Sequence, residues 1–336
     1  MNFDLTDDQR AIQRTARDFL AAGYKPEEIR RLAYETDRGF TDEGWQRICE
    51  LGWPALLVDE EHGGLGLGVV ELAVVQEELG AALAPSPFLS TIAAAALIAD
   101  AGSDEQRARW LPGLAAGEAR GTVATLRDGD GWAAVPDADG ADVVVLRDGD
   151  GWALAEGTGV RAEPAQALDP TRRLWSIEVG GEREPLPGDG ARAADVIAVA
   201  LAAESVGVAQ RTLDMAVAYA KEREQFGRPI GAYQAVSHAC AQMLLEVEGA
   251  RSTTLYAAWA LDHEPESGPL AASMAKAYAS DAGWRVPAAA LQVHGGIGFT
   301  WEHDLHLWLK RGKANAYLWG DAGEHRARVA QLIGLE

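Results

Sequence analysis

Two short stretches of this chain carry residue types suited to gripping a phosphate-bearing ligand. The first reads Arg223-Glu224-Gln225-Phe226-Gly227-Arg228-Pro229-Ile230, followed by Gly231, Ala232, Tyr233 and Gln234. Arg223 supplies a planar fork of donors that can meet a pyrophosphate at two points, and the segment runs into a helix N-terminus whose free amides also favour anions. An ordinary interhelical turn with a solvated arginine fits the same residues. The second stretch is Gln292-Val293-His294-Gly295-Gly296-Ile297-Gly298-Phe299, where the glycines permit φ > 0 and let backbone amides approach a ligand without interference from Cβ. A glycine-rich helix stop is the alternative, and a lone histidine such as His294 is more often packed than catalytic.

Long helical patterns position these stretches. They run over residues 191–222, 233–262, 269–294 and 304–332, which predicts a four-helix bundle with the first stretch between helices one and two and the second at the end of helix three. The first third also reads as helical. A Thr6-x-x-Gln9 capping pattern opens a helix over 6–20 with Ile12, Ala16, Phe19 and Leu20 on one face. Further helices are expected over 42–51, 69–83, 88–101 and 104–114, broken by Gly63-Gly64, Pro85 and Pro87.

From about Gly121 the texture changes to short β-favouring runs, 142–146 and 174–179 among them. The segment Arg-Asp-Gly-Asp-Gly-Trp occurs twice, at 127–132 and 147–152, and predicts two hairpins with glycine-dependent turns. These loops lack the remaining oxygen ligands of a calcium site. The expected organisation is therefore an N-terminal helical domain over 1–118, a reduced β domain over 119–188 and a C-terminal four-helix bundle over 189–336.

Composition narrows the partners. The 51 acidic and 30 basic side chains give a net charge of -21, which argues against nucleic acid and anionic lipid surfaces while leaving room for a local phosphate site. Cys49 and Cys240 stand far apart without a CxxC pair, so neither a disulfide framework nor a metal site is expected. The N-terminus lacks a signal-peptide pattern, and a cytoplasmic location with no membrane span is the expectation.

The two ligand-suited stretches in this order, with Gln234 opening the helix between them, resemble the acyl-CoA dehydrogenase family. So do Asp59-Glu60-Glu61-His62-Gly63-Gly64-Leu65-Gly66-Leu67-Gly68, Glu77-Glu78-Leu79-Gly80 and Ala209-Gln210-Arg211-Thr212-Leu213. The resemblance covers nearly the whole chain and implies the same three-part, mainly α fold with a small central β domain. It implies FAD as cofactor, an acyl-CoA substrate and an electron-transferring flavoprotein as acceptor. In that family one subunit lends part of its surface to the FAD of its neighbour. The matching positions here are Arg223, Gln225, Phe226, Gln234, Gln292, Val293, Gly295 and Gly296, with Tyr233 and His294 as lining residues.

The chain departs from the family in two places. The β domain of the family offers a Thr-Glu-Pro-x-x-Gly-Ser-Asp-like segment and a Trp-Ile-Thr-like segment to the flavin ring, whereas this chain reads Thr122-Val123-Ala124-Thr125-Leu126-Arg127-Asp128 and has no equivalent of the second. The base that removes the α-proton of the thioester, usually a Glu before Gly-Thr, is replaced by Trp319-Gly320-Asp321. The alternative position of that Glu aligns with Ile197. Glu204, two helical turns further on, and Asp321 are the remaining candidate bases. A chain that keeps the lent surface and loses its own flavin cradle resembles the shortened subunit of the actinobacterial heteromeric acyl-CoA dehydrogenases of steroid side-chain type. A heterotetramer with a full-length partner is the expectation, with a self-sufficient homo-oligomer or a flavin-free scaffold as alternatives. Asp169-Pro170-Thr171-Arg172-Arg173 also suits the family without naming a substrate.

Overall fold

The computed structural model describes residues 4–335. The N-terminal third holds α1 (Asp7–Gly23), α2 (Pro26–Glu35), α3 (Asp42–Glu50), α4 (Val69–Ala82), α5 (Phe88–Ala101) and α6 (Asp104–Ala116). The expected capping box is present: the Gln9 amide donates to the Thr6 hydroxyl while the Thr6 amide donates to the Gln9 side chain. Helix α2 was not foreseen. It starts on a proline and carries Glu27 and Glu28 in its first turn, both of which favour a helix N-terminus.

Eight short strands follow: β1 (Gly121–Ala124), β2 (Leu126–Asp128), β3 (Gly131–Pro136), β4 (Val143–Asp148), β5 (Gly151–Glu156), β6 (Val160–Ala165), β7 (Leu174–Val179) and β8 (Glu184–Leu186). They form two four-stranded sheets, ordered β1-β4-β5-β8 and β2-β3-β7-β6. The repeated segments are the hairpins β2–β3 and β4–β5, with Asp128 opposite Gly131 and Asp148 opposite Gly151. One hairpin belongs to each sheet. In both, the arginine lies over the tryptophan it faces across the ladder, Arg127 at 4.4 Å from Trp132 and Arg147 at 4.9 Å from Trp152. The repeat is thus a structural device. Among the described residues no group of three or more His, Cys, Asp or Glu side chains is placed to hold a metal ion.

The C-terminal part comprises α7 (Ala191–Glu222), a two-residue ladder of β9 (Glu224–Gln225) and β10 (Arg228–Pro229), α8 (Gln234–His263), α9 (Gly268–His294), α10 (Leu305–Asn315) and α11 (Ala322–Leu332). The fourth expected helix is therefore two. The break comes where Trp319 and Gly320 both take left-handed backbone, at φ 64° and 88°, and Asp321 then caps a new helix. Helix α7 is long and apolar enough to cross a membrane by length and composition, but 89% of that stretch is buried inside the protein.

The chain divides into two compact units, one of Met1–Glu28, Ala73–Ala84 and Ala198–Glu336, the other of Ile29–Leu72 and Pro85–Ile197. In the first, Gly80 of α4 and Gly207 of α7 let the two helices touch backbone to backbone, since a Cβ on either would collide with the carbonyl of Glu204 or Glu77. Ion pairs flank this crossing, with Arg17 on Glu78 at 2.7 Å and Arg251 on Glu77 at 3.0 Å. That gives the Glu77-Glu78-Leu79-Gly80 stretch a packing role. The core beside it is built from Ala209, Leu213, Ala216, Met243, Val247, Val286, Ala290, Leu291 and Leu305.

Candidate functional site

The Arg223 stretch folds as a two-residue hairpin. Gln225 pairs with Arg228, and between them Phe226 and Gly227 take φ 53° and 80°, the double left-handed geometry such a turn requires. Glycine takes this at no steric cost, whereas for phenylalanine it costs on the order of 1–3 kcal/mol. The result is a Phe226 ring that is 93% exposed. Tyr233 braces the turn from behind: its hydroxyl donates to the Gln225 carbonyl at 3.1 Å, its ring meets Phe226 edge-on, and the Arg228 guanidinium lies 4.0 Å from its centroid. Arg223 and Gln234 are exposed, and the Arg223 guanidinium has no ion-pair partner among the described residues.

The second stretch closes α9. Gly295 stands at φ 63°, and a Cβ built on Gly295 or Gly296 would meet nothing within 4 Å, so this backbone faces open space. Gln292 is exposed beside it. Val293 and His294 point the other way. Val293 packs against the bundle core, and the buried His294 donates from Nδ1 to the Ala290 carbonyl at 2.8 Å. The other side of the His294 ring stacks on Tyr219, with centroids 4.6 Å apart and planes 22° apart, and His303 approaches it at 4.5 Å. Tyr219 stands one turn before Arg223, so this stack brings the two stretches to one end of the bundle. Sequence reasoning missed Tyr219 because nothing in its spacing marks it.

These features fit a flavin dinucleotide. An unpaired guanidinium, exposed amides on Gln234 and Gln292, an aromatic face and an unobstructed glycine backbone suit a pyrophosphate and its flanking groups, while the exposed Gln225 spends one amide hydrogen on the Glu224 carbonyl at 2.7 Å. The β-domain segment that departs from the family pattern is buried in its first half and exposed from Thr125 to Asp128. In the Thr122-to-Asp128 segment, Thr122, Val123 and Ala124 are buried in β1, and the Thr122 hydroxyl donates inward to the Pro136 carbonyl.

The candidate bases are already occupied. Glu204 is 2% exposed; Arg311 Nη1 donates to its Oε1 at 2.6 Å and Asn315 Nδ2 to its Oε2 at 3.1 Å. Asp321 accepts from the amides of Gly323 and Glu324 as the cap of α11, and these backbone bonds hold its carboxyl below the usual range. Ile197 is a buried apolar residue. Around Trp319 the turn is fixed by two further contacts, His325 Nε2 donating to the Trp319 carbonyl at 3.0 Å and Lys276 Nζ to the Gly320 carbonyl at 2.9 Å. Lys276 is fully buried and also donates to Ser280 Oγ and the Asn315 carbonyl; burial lowers its pKa to about 8, against the pull of Asp321 and Glu324. Its one sequence signal is a lysine set among the small residues Ala272, Ser273, Ala275, Ala277 and Ala279.

The sequence matches the acyl-CoA dehydrogenase N-terminal domain over residues 6–118 and the acyl-CoA dehydrogenase C-terminal domain over 192–334. The chain belongs to the acyl-CoA dehydrogenase family. Among family members it is 39% identical to acyl-CoA dehydrogenase IpdE2 of Mycobacterium tuberculosis over 315 residues, 93% of each chain. It is 36% identical to acyl-CoA dehydrogenase IpdE2 of Mycolicibacterium smegmatis, over 97% of this chain and 98% of the relative. Among solved structures it superimposes on a chain of the ChsE4–ChsE5 complex from Mycobacterium tuberculosis with a TM-score of 0.91, 25% identity and full coverage of both chains. It also matches a chain of the Tcur3481–Tcur3483 steroid acyl-CoA dehydrogenase with a TM-score of 0.88, 30% identity and 98% coverage of each. In this family member both candidate carboxylates, Glu204 and Asp321, are engaged in its own structure.

Proposed function

We propose that this chain is the shortened subunit of a heteromeric, FAD-dependent acyl-CoA dehydrogenase, completing the cofactor site of a full-length partner that carries the base. The observation that carries this reading is the contrast within one chain: Arg223, Gln234 and Gln292 stand exposed beside the open Gly295-Gly296 backbone, while Glu204 and Asp321 are taken up by intramolecular bonds. Arg223 would hold the anionic part of FAD, with Gln225, Gln234 and Gln292 donating to its polar groups and Phe226 and Tyr233 covering an aromatic face. Gly295 and Gly296 let the backbone approach, and Val293 and His294 support that turn from within. The cofactor, once bound, supplies hydride acceptance. This chain's residues orient it and exclude water from its outer part.

The named complex among the structural neighbours supports a two-chain assembly, and the steroid acyl-CoA dehydrogenase among them supports a bulky, steroid-derived CoA thioester as substrate. An electron-transferring flavoprotein is the acceptor, and the division 1–118, 119–188 and 189–336 is the functional one. The test is the visible spectrum of the purified complex. Replacing Arg223 and Gln292 by Ala should abolish the flavin band; stoichiometric flavin and full turnover in this chain purified alone would overturn the reading.

A further inference from the structure

We propose that the cation-and-aromatic face of α10 and the turn before it docks an acidic surface of the full-length partner subunit, an inference that rests on the partner role proposed above. Lys310 and Lys313 stand three residues apart on α10 and so leave the same side of the helix. Lys310 Nζ lies 4.8 Å from the Trp301 ring centroid; Lys313 Nζ lies 4.5 Å from that of Trp284 and 5.0 Å from that of Tyr317. Among the described residues neither ammonium has a carboxylate partner. Glu302, in the turn beside Trp301, pairs with neither. Two of the three rings that carry the cations are exposed, Trp301 at 65% and Tyr317 at 63%, with Phe299 nearby in sequence at 74%; Trp284 is partly buried.

This face is the reverse of the rest of the chain's balance. With a net charge of -21, carboxylates are abundant, yet two ammonium groups here are held by aromatic faces and left unneutralised. Large exposed rings beside unpaired cations are the composition of an interface core with a charged rim rather than of a solvated surface. The complementary chemistry is a carboxylate-bearing surface with apolar neighbours, which steers encounter through its charge and gains affinity by covering the rings. A cation–π contact at an exposed site is worth only about 0.5–1 kcal/mol, so these rings order the lysines without consuming their charge.

The test uses the full chain, co-expressed with each affinity-tagged full-length acyl-CoA dehydrogenase subunit of its own genome. Wild type is compared with K310E/K313E, with neutral K310Q/K313Q and with charge-conserving K310R/K313R, and each variant's thermal midpoint is recorded for the chain alone. The expected result is that wild type and the Arg variant co-purify with one subunit and release it as salt rises. The Glu variant should bind roughly tenfold or more weakly at unchanged midpoint, with the Gln variant between them. Equal binding by wild type and the Gln and Glu variants would sink the docking surface and leave the partner reading intact. Association of wild type with no subunit would remove the partner reading itself. Loss of flavin with assembly intact would assign the lysines to a cofactor phosphate, and loss of self-association by the chain alone would assign the face to a second copy; either overturns the proposal.

Discussion

Tyr219 and His294 stack at 4.6 Å, a ring pair that links the end of α7 to the end of α9 beside the apolar core the two helices share. Each residue stands next to one of the two outward turns, so the stack fixes the spacing between donors that the proposed cofactor must meet together. Tyr219→Ala removes about 0.5–1.5 kcal/mol of ring pairing beyond the area it uncovers. The expected outcome is a complex that assembles but loses flavin on dilution, read by released flavin fluorescence. Tyr219→Phe should retain it.

Glu204 and Arg311 form a buried pair, and removing one partner strands the other. Glu204→Ala is expected to cost roughly 3–5 kcal/mol in a urea titration, and a double change of Glu204 and Arg311 to Met markedly less than the single. If Glu204 were instead a base, Glu204→Gln would abolish turnover of the assembled complex while leaving it folded. The structure predicts that turnover persists in whatever fraction remains folded.

Lys276 makes stability depend on pH in the alkaline range. Its folded pKa of about 8 lies below its usual value, so the unfolded chain holds more protons between pH 8 and the normal lysine range, and stability rises with pH through that window. The gain is up to about 3 kcal/mol, the size of the shift converted to free energy. Urea midpoints measured across the window should climb for wild type and stay flatter for Lys276→Met.

Asp321 acts in the opposite direction at the acid end. Its carboxyl is held below the ordinary range, so its stabilisation is complete above the unfolded pKa and is lost as pH falls through the folded one. Asp321→Asn keeps a capping oxygen but removes the charge. Acid titration by circular dichroism should show a shallower loss of helix in Asp321→Asn, and a lower thermal midpoint at neutral pH in Asp321→Ala.

The sequence by itself determined the helical and β regions, because period and punctuation are local properties. Residues 88–101 read directly from a helical pattern bounded by breakers, 174–179 from a β-favouring run between Gly-rich turns, and the two Arg-Asp-Gly-Asp-Gly-Trp segments read directly as hairpins. It also disclosed the turns around Arg223 and Gln292, whose residue types are unusual for helix connections, and the family resemblance placed Trp319 where a Glu is expected. Helix α2 and the break between α10 and α11 were hidden. The first has few apolar residues, and the second depends on left-handed backbone at a tryptophan that no pattern demands.

Only the tertiary structure decided what the charged candidates do. Whether a glutamate is a base or an anchor depends on what stands within hydrogen-bond reach, and Arg311 and Asn315 lie more than a hundred residues from Glu204. Likewise Tyr219, Lys276 and the lysines of α10 acquire roles only from rings and carbonyls that folding brings beside them. Residue type and spacing disclose the capacity for chemistry; burial and the neighbouring donors and acceptors determine whether that capacity is open to a ligand or already taken by the fold.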